Sequence, residues 1–207
     1  MLNSNQIKYE LYDLHTGGTH GNRMYADYIL PSYRINIEGD EYIPFIQIQN
    51  SYDKTLLFGI TQGLYRQACS NGAFLGVRNV ERIHLKHVGN NIDLNKEVFN
   101  VDYWLKNLDI AQTNLKRLMK EPLSNTTIDD VLKKIFNRKK DLELIKHFDL
   151  IEKNIKEFGF TRYALFNACT EFVTHALANE ALYRSKNYDR AKELSVRIGN
   201  EFLPVGI

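Results

Sequence analysis

The apolar residues change period once along the chain, and that change limits the folds open to it. From Met24 to about His87 they recur for the most part at every second residue; from Leu94 onward they recur at steps of four and three. A period of two builds strands with one face against a core, and steps of three and four build amphipathic helices. Strands first and helices after is the α+β arrangement, with helices packed on one side of an antiparallel sheet. We therefore expect a single domain over residues 1–207: a loop-rich segment over 1–23, an antiparallel sheet over 24–90 and a helical part over 91–207.

The first 23 residues are polar, and His15-Thr-Gly-Gly-Thr-His20-Gly-Asn holds three glycines in eight residues, which reads as a loop. Met24 to Leu30 reads as a strand. Tyr33, Ile35 and Ile37 alternate with Arg34, Asn36 and Glu38 in a second, and Gly39-Asp40 supplies a turn. Tyr42 to Gln49 follows, with Ile46 and Ile48 on one face and Phe45, Gln47 and Gln49 on the other. Asn50-Ser-Tyr-Asp53 turns the chain and Thr55 to Ile60 returns it. Turns this short connect antiparallel neighbours only. Leu64, Tyr65, Ala68 and Cys69 suit a short helix ended by Asn71-Gly72, and Val80 to His87 suits a further strand.

In the helical part, Leu94, Val98, Val101, Leu105, Leu108, Leu115 and Met119 mark a first helix, with Asp93 as its N-cap and Pro122 beyond its end. Thr127 with Asp130 resembles a capping box before Val131 to Asn137. A third helix runs from Leu144 to Phe158 with Gly159 as its stop. A fourth starts at Thr161 and reaches about Arg184, and a last one spans Tyr188 to Ile198, closed by Gly199.

Composition sets outer bounds. Hydrophobic residues make up 43% of the chain, enough to bury a core. A net charge of +2 excludes a generic basic coat for nucleic acid and leaves room for a local basic patch. Cys69 and Cys169 stand far apart, outside any Cys-x-x-Cys pair, so neither a disulfide framework nor a cysteine-rich zinc site is expected. The opening MLNSNQIKYELYD has no basic start and no apolar run. No apolar stretch approaches the roughly 20 residues that span a bilayer. The expectation is a soluble cytoplasmic protein with no membrane partner and no cofactor.

Four short motifs stand out: Asn50-Ser51-Tyr52-Asp53; Arg66-x-x-Cys69-x-Asn71-Gly72; His87-Val-Gly89-Asn90; and Asn167-Ala-Cys-Thr170-Glu171-Phe-Val-Thr174-His175. With the upstream Gly21-Asn-Arg23, their order resembles a phage- and plasmid-like family classed as a domain of unknown function. The likeness covers roughly Leu14 to Asn90 and Phe160 to Ala176. It departs at Tyr52, where that family often has His, and at Val88, where it often has Thr. The resemblance implies a mobile-element protein working in the cytoplasm of a bacterial host cell, and no particular activity. In element order alone the chain is also similar to phage single-strand annealing proteins, which is an analogy of fold and not of function.

Each motif has a plain reading beside a functional one. Asn and Asp side chains close turns on their own backbone, which suffices for Asn50 to Asp53; the functional reading sets Tyr52 at the loop tip as a stacking platform for a base. The fork of Arg66 suits a phosphate, or an internal carboxylate such as Asp53 or Glu171. Cys69 as a nucleophile needs a base, which His84 or His87 would supply, but free cysteine is most often buried and inert. His84, His87, Glu171 and His175 invite a metal. However, His84 and His87 lie three apart on a strand and point to opposite faces, so no metal site is expected. Asn167, Thr170, Glu171, Thr174 and His175 form a polar stripe that either faces water or satisfies the turns of the sheet. Lys133, Lys134 and Arg138 to Lys140 bracket a helix end, where cations suit the dipole without a ligand.

The functional expectation is a non-enzymatic protein that binds single-stranded nucleic acid, DNA or RNA, in an annealase-like manner and as a possible homo-oligomer. The candidate binding residues are Tyr52, Arg66, Arg78, Arg82, His84 and Lys86, with Asn50, Asp53, Asn71, His87, Asn167, Glu171 and His175 as a supporting polar network. The alternative is an anti-defence protein of the anti-CRISPR kind, which binds a host nuclease ribonucleoprotein. A weaker one is a hydrolase or nuclease that uses His84, His87 or His175.

Overall fold

The computed structural model describes residues 8–17, 20–55, 58–67, 71–74, 76–77, 101–147, 149–177 and 187–205. The fold is α+β, an antiparallel sheet in the N-terminal half and helices in the C-terminal half. Strands β1 (Glu10–Gly17), β2 (Arg23–Ile29), β4 (Asp40–Ser51), β5 (Gly59–Arg66) and β6 (Asn71–Phe74) lie in the order β1-β2-β4-β5-β6. The short β3 (Ile35–Ile37) pairs with the start of β4. Every pairing in this sheet is antiparallel. A parallel pair, β7 (Gly76–Val77) with β8 (Pro204–Val205), ties the end of the chain to the region after β6.

Strand β4 carries the sheet. Its first residues pair with β3, its later ones with β2, and its other edge runs along β5 from Tyr42↔Arg66 to Gln49↔Gly59. Opposite residues share a face, so Tyr42, Ile46, Leu64 and Gln62 point one way, and Phe45, Gln47, Gln49, Tyr65 and Asp27 the other. The first face meets the main hydrophobic core, and Lys192 of the last helix reaches the second. Tyr42 and Leu64, with Ile35 and Ile37, join a core built on Trp104, Leu115, Phe166, Phe172 and Phe202, and Asn107 of α1 (Val101–Lys120) donates to Gln62 at 3.3 Å.

Five more helices follow: α2 (Asn125–Ile135), α3 (Lys139–His147), α4 (Leu150–Phe158), α5 (Arg162–Glu171, prolonged by a π-helical turn Phe172–Leu177) and α6 (Asn187–Phe202). In α5 every residue from Tyr163 to Thr170 is buried. A helix covered all round lies at the centre of its layer, so Asn167 and Thr170 do not face water.

Several expectations shift. The segment read as a loop-rich lead contains β1, because residues 10–17 find a ladder along β2. The helix expected within Gly63–Phe74 is instead the β5–β6 hairpin. Leu64 and Arg66 alternate with Gly63 and Tyr65, and pairing with β4 overrides a local helical reading. The turn before β4 sits at Glu38-Gly39, both with positive φ, one residue earlier than expected. Ser124, not Thr127, caps α2, accepting from the Thr127 amide at 3.1 Å. The third helix breaks in two at Asp149, which adopts a left-handed conformation that Asp tolerates better than most residues. Thr161 and Gly159 act as read, cap and stop. The last helix runs through Gly199 to Phe202. A helical glycine costs about 1 kcal/mol, which burial of Ile198 and Phe202 more than offsets. Among the described residues no helix is long and apolar enough to cross a membrane.

Candidate functional site

At one end of the sheet β2 begins and β4 ends, side by side, with Arg23 opposite Ser51. Two of the motifs therefore meet. The Tyr52 amide donates to the Asn22 carbonyl at 2.9 Å. Asp53 accepts from the Thr55 amide at 3.0 Å and from the Thr55 hydroxyl at 2.7 Å, and Asn22 Nδ2 donates to the same carboxylate. Arg23 Nε donates to Thr55 Oγ1 at 3.1 Å, and Asn50 Oδ1 accepts from the Ser51 amide at 2.9 Å. The Thr55 hydroxyl, then its amide, holds the Asp53 carboxyl below the usual range. Two left-handed positions, Gly21 (φ 68°) and Lys54 (φ 62°), let the backbone fold this tightly. The braced turn presents the ring of Tyr52 to solvent, 85% exposed, with His20 and Lys54 also exposed around it.

At the other end Arg66 closes the sheet. It is 4% exposed and lies 4.7 Å over the ring of Phe158. Nε and Nη2 reach Asp40 Oδ1 at 3.0 and 2.8 Å, and Nη2 reaches Glu157 at 3.3 Å. The second Asp40 oxygen accepts from the Tyr163 hydroxyl at 2.5 Å, and the Tyr42 and Tyr163 hydroxyls are themselves 2.5 Å apart. Burial, then the Tyr163 hydroxyl, pushes the Tyr42 phenol well up, and burial with the Asp40 bond does the same to Tyr163. The arginine thus has an internal carboxylate partner, though neither of the two expected. In this geometry its fork is spent on Asp40 and turned away from solvent.

A model of one protein family matches residues 6–197. The chain belongs to that family, a Domain of unknown function (DUF932). No curated protein and no solved structure matches it.

The motifs of this DUF932 chain thus divide between the two ends of the sheet and the buried helix. Asn71 lies in β6 opposite Arg66. Asn167 is fully buried and donates to the Tyr163 carbonyl one turn back at 3.0 Å, and Thr170 donates to the Asn167 carbonyl. Glu171 faces α4: Lys153 and Asn154 both donate to it. Burial opposes its ionisation, but those two donors and the Lys153 charge outweigh burial and set its carboxyl low. Glu171 therefore joins helix to helix. His175, exposed in the π-helical turn, adds its attraction to Glu171. Arg78, Arg82, His84, Lys86 and His87 lie outside the described residues, as does Cys69. Cys169 is buried, and burial pushes its thiol far up, which suits an inert core residue. Among the described residues no group of three or more His, Cys, Asp or Glu could hold a metal ion.

One polar cluster was not singled out from the sequence. On the face opposite the core, buried Asp27 accepts from Gln47 Nε2 at 2.8 Å and from the Tyr65 hydroxyl at 2.7 Å. Lys192 of α6 donates to Gln47 and Gln49 and lies 5.0 Å over the ring of Tyr25. Gln49 folds across Gly59, where a Cβ would come within 2.9 Å of its amide nitrogen. Burial raises the Asp27 carboxyl, against the opposing pull of Tyr65 and Gln47. The visible signal was an acid in the middle of an otherwise apolar strand, Tyr25-Ala-Asp-Tyr-Ile29. Its bonds knit β2, β4, β5 and α6 together.

Proposed function

We propose that the chain is a non-enzymatic binder of single-stranded nucleic acid, encoded by a phage or plasmid and acting in the host cytoplasm, with the open end of the sheet as its contact. The observation that carries this reading is the Tyr52 ring. It is 85% exposed at the tip of a turn whose backbone is fixed on both sides by Asn22, Asp53 and Thr55. A large aromatic ring held in water by a rigid turn loses little entropy when a base stacks on it, and stacking accepts any base. Arg23 and Lys54 flank it with positive charge, and Arg78, Arg82 and Lys86 extend the basic set in sequence. Arg66 belongs to the support of the sheet in this reading and not to the phosphate contacts.

Fluorescence anisotropy with labelled oligo-dT and oligo-U at rising salt tests it. Binding at low salt that weakens linearly in log[salt] is expected, with Tyr52→Ala weakening it at every salt concentration. No binding at low salt would end the proposal. Co-purification with a host nuclease complex would then turn attention to the anti-defence reading.

A further inference from the structure

We propose that β1 is a dimerisation edge: it pairs antiparallel with β1 of a second copy of the chain, with Leu11 of each copy facing Leu14 of the other. This inference stands whether or not the protein binds nucleic acid.

Strand β1 is outermost in the sheet, and among the described residues nothing pairs with its outer edge. It is also the most apolar exposed stretch. Of the six large hydrophobic residues exposed among those described, three fall in β1 and one just before it: Leu11 at 56%, Tyr12 at 51%, Leu14 at 56% and Tyr9 at 66%. Edge strands of monomers are commonly guarded by lysine or proline, and Glu10–Gly17 contains neither.

A bulge fixes the register in which a second copy fits. The β1–β2 register runs from Leu11↔Tyr28 to Asp13↔Asp27, so Tyr12 is the extra residue. It reverses the alternation, and Leu11 and Leu14, three apart, both lie on the face of Tyr28 and Ala26. Tyr9 shares that face, with its ring 5.7 Å from that of Tyr28. Glu10, Asp13 and His15 lie on the other, and Tyr12 joins them with its ring 5.1 Å from Tyr65.

Residues directly opposite in an antiparallel pair must share a face. A regular strand meets such a parity change by setting one residue against two, as β2 does; a strand with the matching change meets it one residue to one. A second copy supplies it, with the two-fold axis between Tyr12 and Asp13 so that the two bulges face each other. Moving the axis by half a residue, onto Tyr12, would set Leu11 against Asp13, which points the other way. In the permitted register Leu11 meets Leu14, Tyr9 meets Thr16, Tyr12 meets Asp13 and Glu10 meets His15. Apolar meets apolar, and no like charges stand directly opposite. His15, already 3.0 Å from Asp13 of its own chain, comes to lie between two carboxylates. The product is one continuous sheet through both copies.

The register gives the test, because no residue in it faces itself. Leu11→Cys and Leu14→Cys are made separately in a Cys69→Ser background, since buried Cys169 is out of reach. Opposed strand residues have Cα atoms about 4.5–5.5 Å apart, within the range of a disulfide. Mixing and oxidising the two variants should give a crosslinked band at about twice the 24.1 kDa chain mass, and either variant alone should give little. Sedimentation equilibrium of the full chain should show a dimer, and Leu11→Lys should return it to monomer with an unchanged circular dichroism spectrum. A monomeric full chain, a larger assembly, a dimer indifferent to Leu11→Lys, or self-crosslinking as strong as mixed crosslinking would each overturn the assignment.

Discussion

Strand β4 has an aspartate at each end, and the two are used in opposite ways. Asp40 opens the strand under the helices, where Arg66 and Tyr163 take up its oxygens and little of either ionic side chain meets water. Asp53 follows the strand at the far end, exposed, and binds only what lies within its own turn and the neighbouring loop. The difference is one of solvation. A carboxylate removed from water requires a matched partner, so Asp40 and Arg66 stand or fall together. A carboxylate left in water needs no partner, so the bonds of Asp53 are available to shape a loop. One end of the sheet is therefore a joint and the other a display.

The largest effect should come from breaking the joint. Arg66→Ala leaves Asp40 buried without its cation, and removing one partner of a buried pair costs about 3–5 kcal/mol. Urea denaturation should show the midpoint falling accordingly, with Arg66→Lys intermediate because an ammonium cannot reproduce the fork. The same variant sharpens the comparison. Assayed where both proteins remain folded, its oligonucleotide affinity should equal that of the wild type. A large loss of affinity there would return Arg66 to the phosphate contacts.

At the display end, Tyr52→Ala should leave stability unchanged, since the ring touches little, and weaken binding of an oligo-dT by about 1–3 kcal/mol, the worth of one stacked base. Equal affinity for the wild type and this variant would leave the turn with a purely structural role.

The sequence made the joint and the display legible to different degrees, for a physical reason. Turn chemistry is local: Asn50 to Asp53 announce their turn because their side chains bond to backbone within reach, and Thr161 and Gly159 announce a cap and a stop likewise. Long-range pairing is not local. Arg66 could be expected to find an acid, but which one was fixed by the β4–β5 register and the approach of α4, so Asp40 and Glu157 replaced Asp53 and Glu171. Strand β1 was hidden by the glycines that gather from its last residue onward, Gly17, Gly18 and Gly21, and by the bulge at Tyr12, which breaks the alternation a strand is read from. The polar stripe of α5 left both readings open because a central helix buries its polar residues too, and the Asn167 amide nitrogen bonds to backbone one turn back.

Asp27 sits between the two extremes, buried but bonded directly to neutral donors, and its effect should be smaller and depend on pH. Its folded-state pKa is raised by burial, so the native state holds its proton more tightly than the unfolded chain does. Its contribution to stability is therefore most favourable below the unfolded value of about 3.9. It declines as pH rises through the raised folded value and is constant above it. Asp27→Asn keeps an acceptor for Gln47, and Tyr65 can accept where it donated. Chemical denaturation across this window should show the wild type losing stability relative to the variant as pH rises; a difference that does not vary with pH would mean that Asp27 folds fully ionised.

The smallest effect belongs to Asp53 and tests whether its bonds matter to the display. Its pKa is lowered, so its ionised form adds stability that is present above the unfolded value and lost as pH falls through the lower folded one. Asp53→Asn should cost little at neutral pH, because Asn closes the same kind of turn, and that small difference should vanish in acid. The more telling signal is local. The Tyr52 amide is held by the Asn22 carbonyl, and Asn22 also bonds Asp53, so loosening the carboxylate frees both. Hydrogen exchange at Tyr52 should quicken in Asp53→Asn while exchange in the core of β4 stays slow, and oligo-dT affinity should fall by less than in Tyr52→Ala. An exposed ring binds by being held still, and a Tyr52 amide that exchanges faster while the ring binds just as well would show that rigidity of this turn contributes nothing.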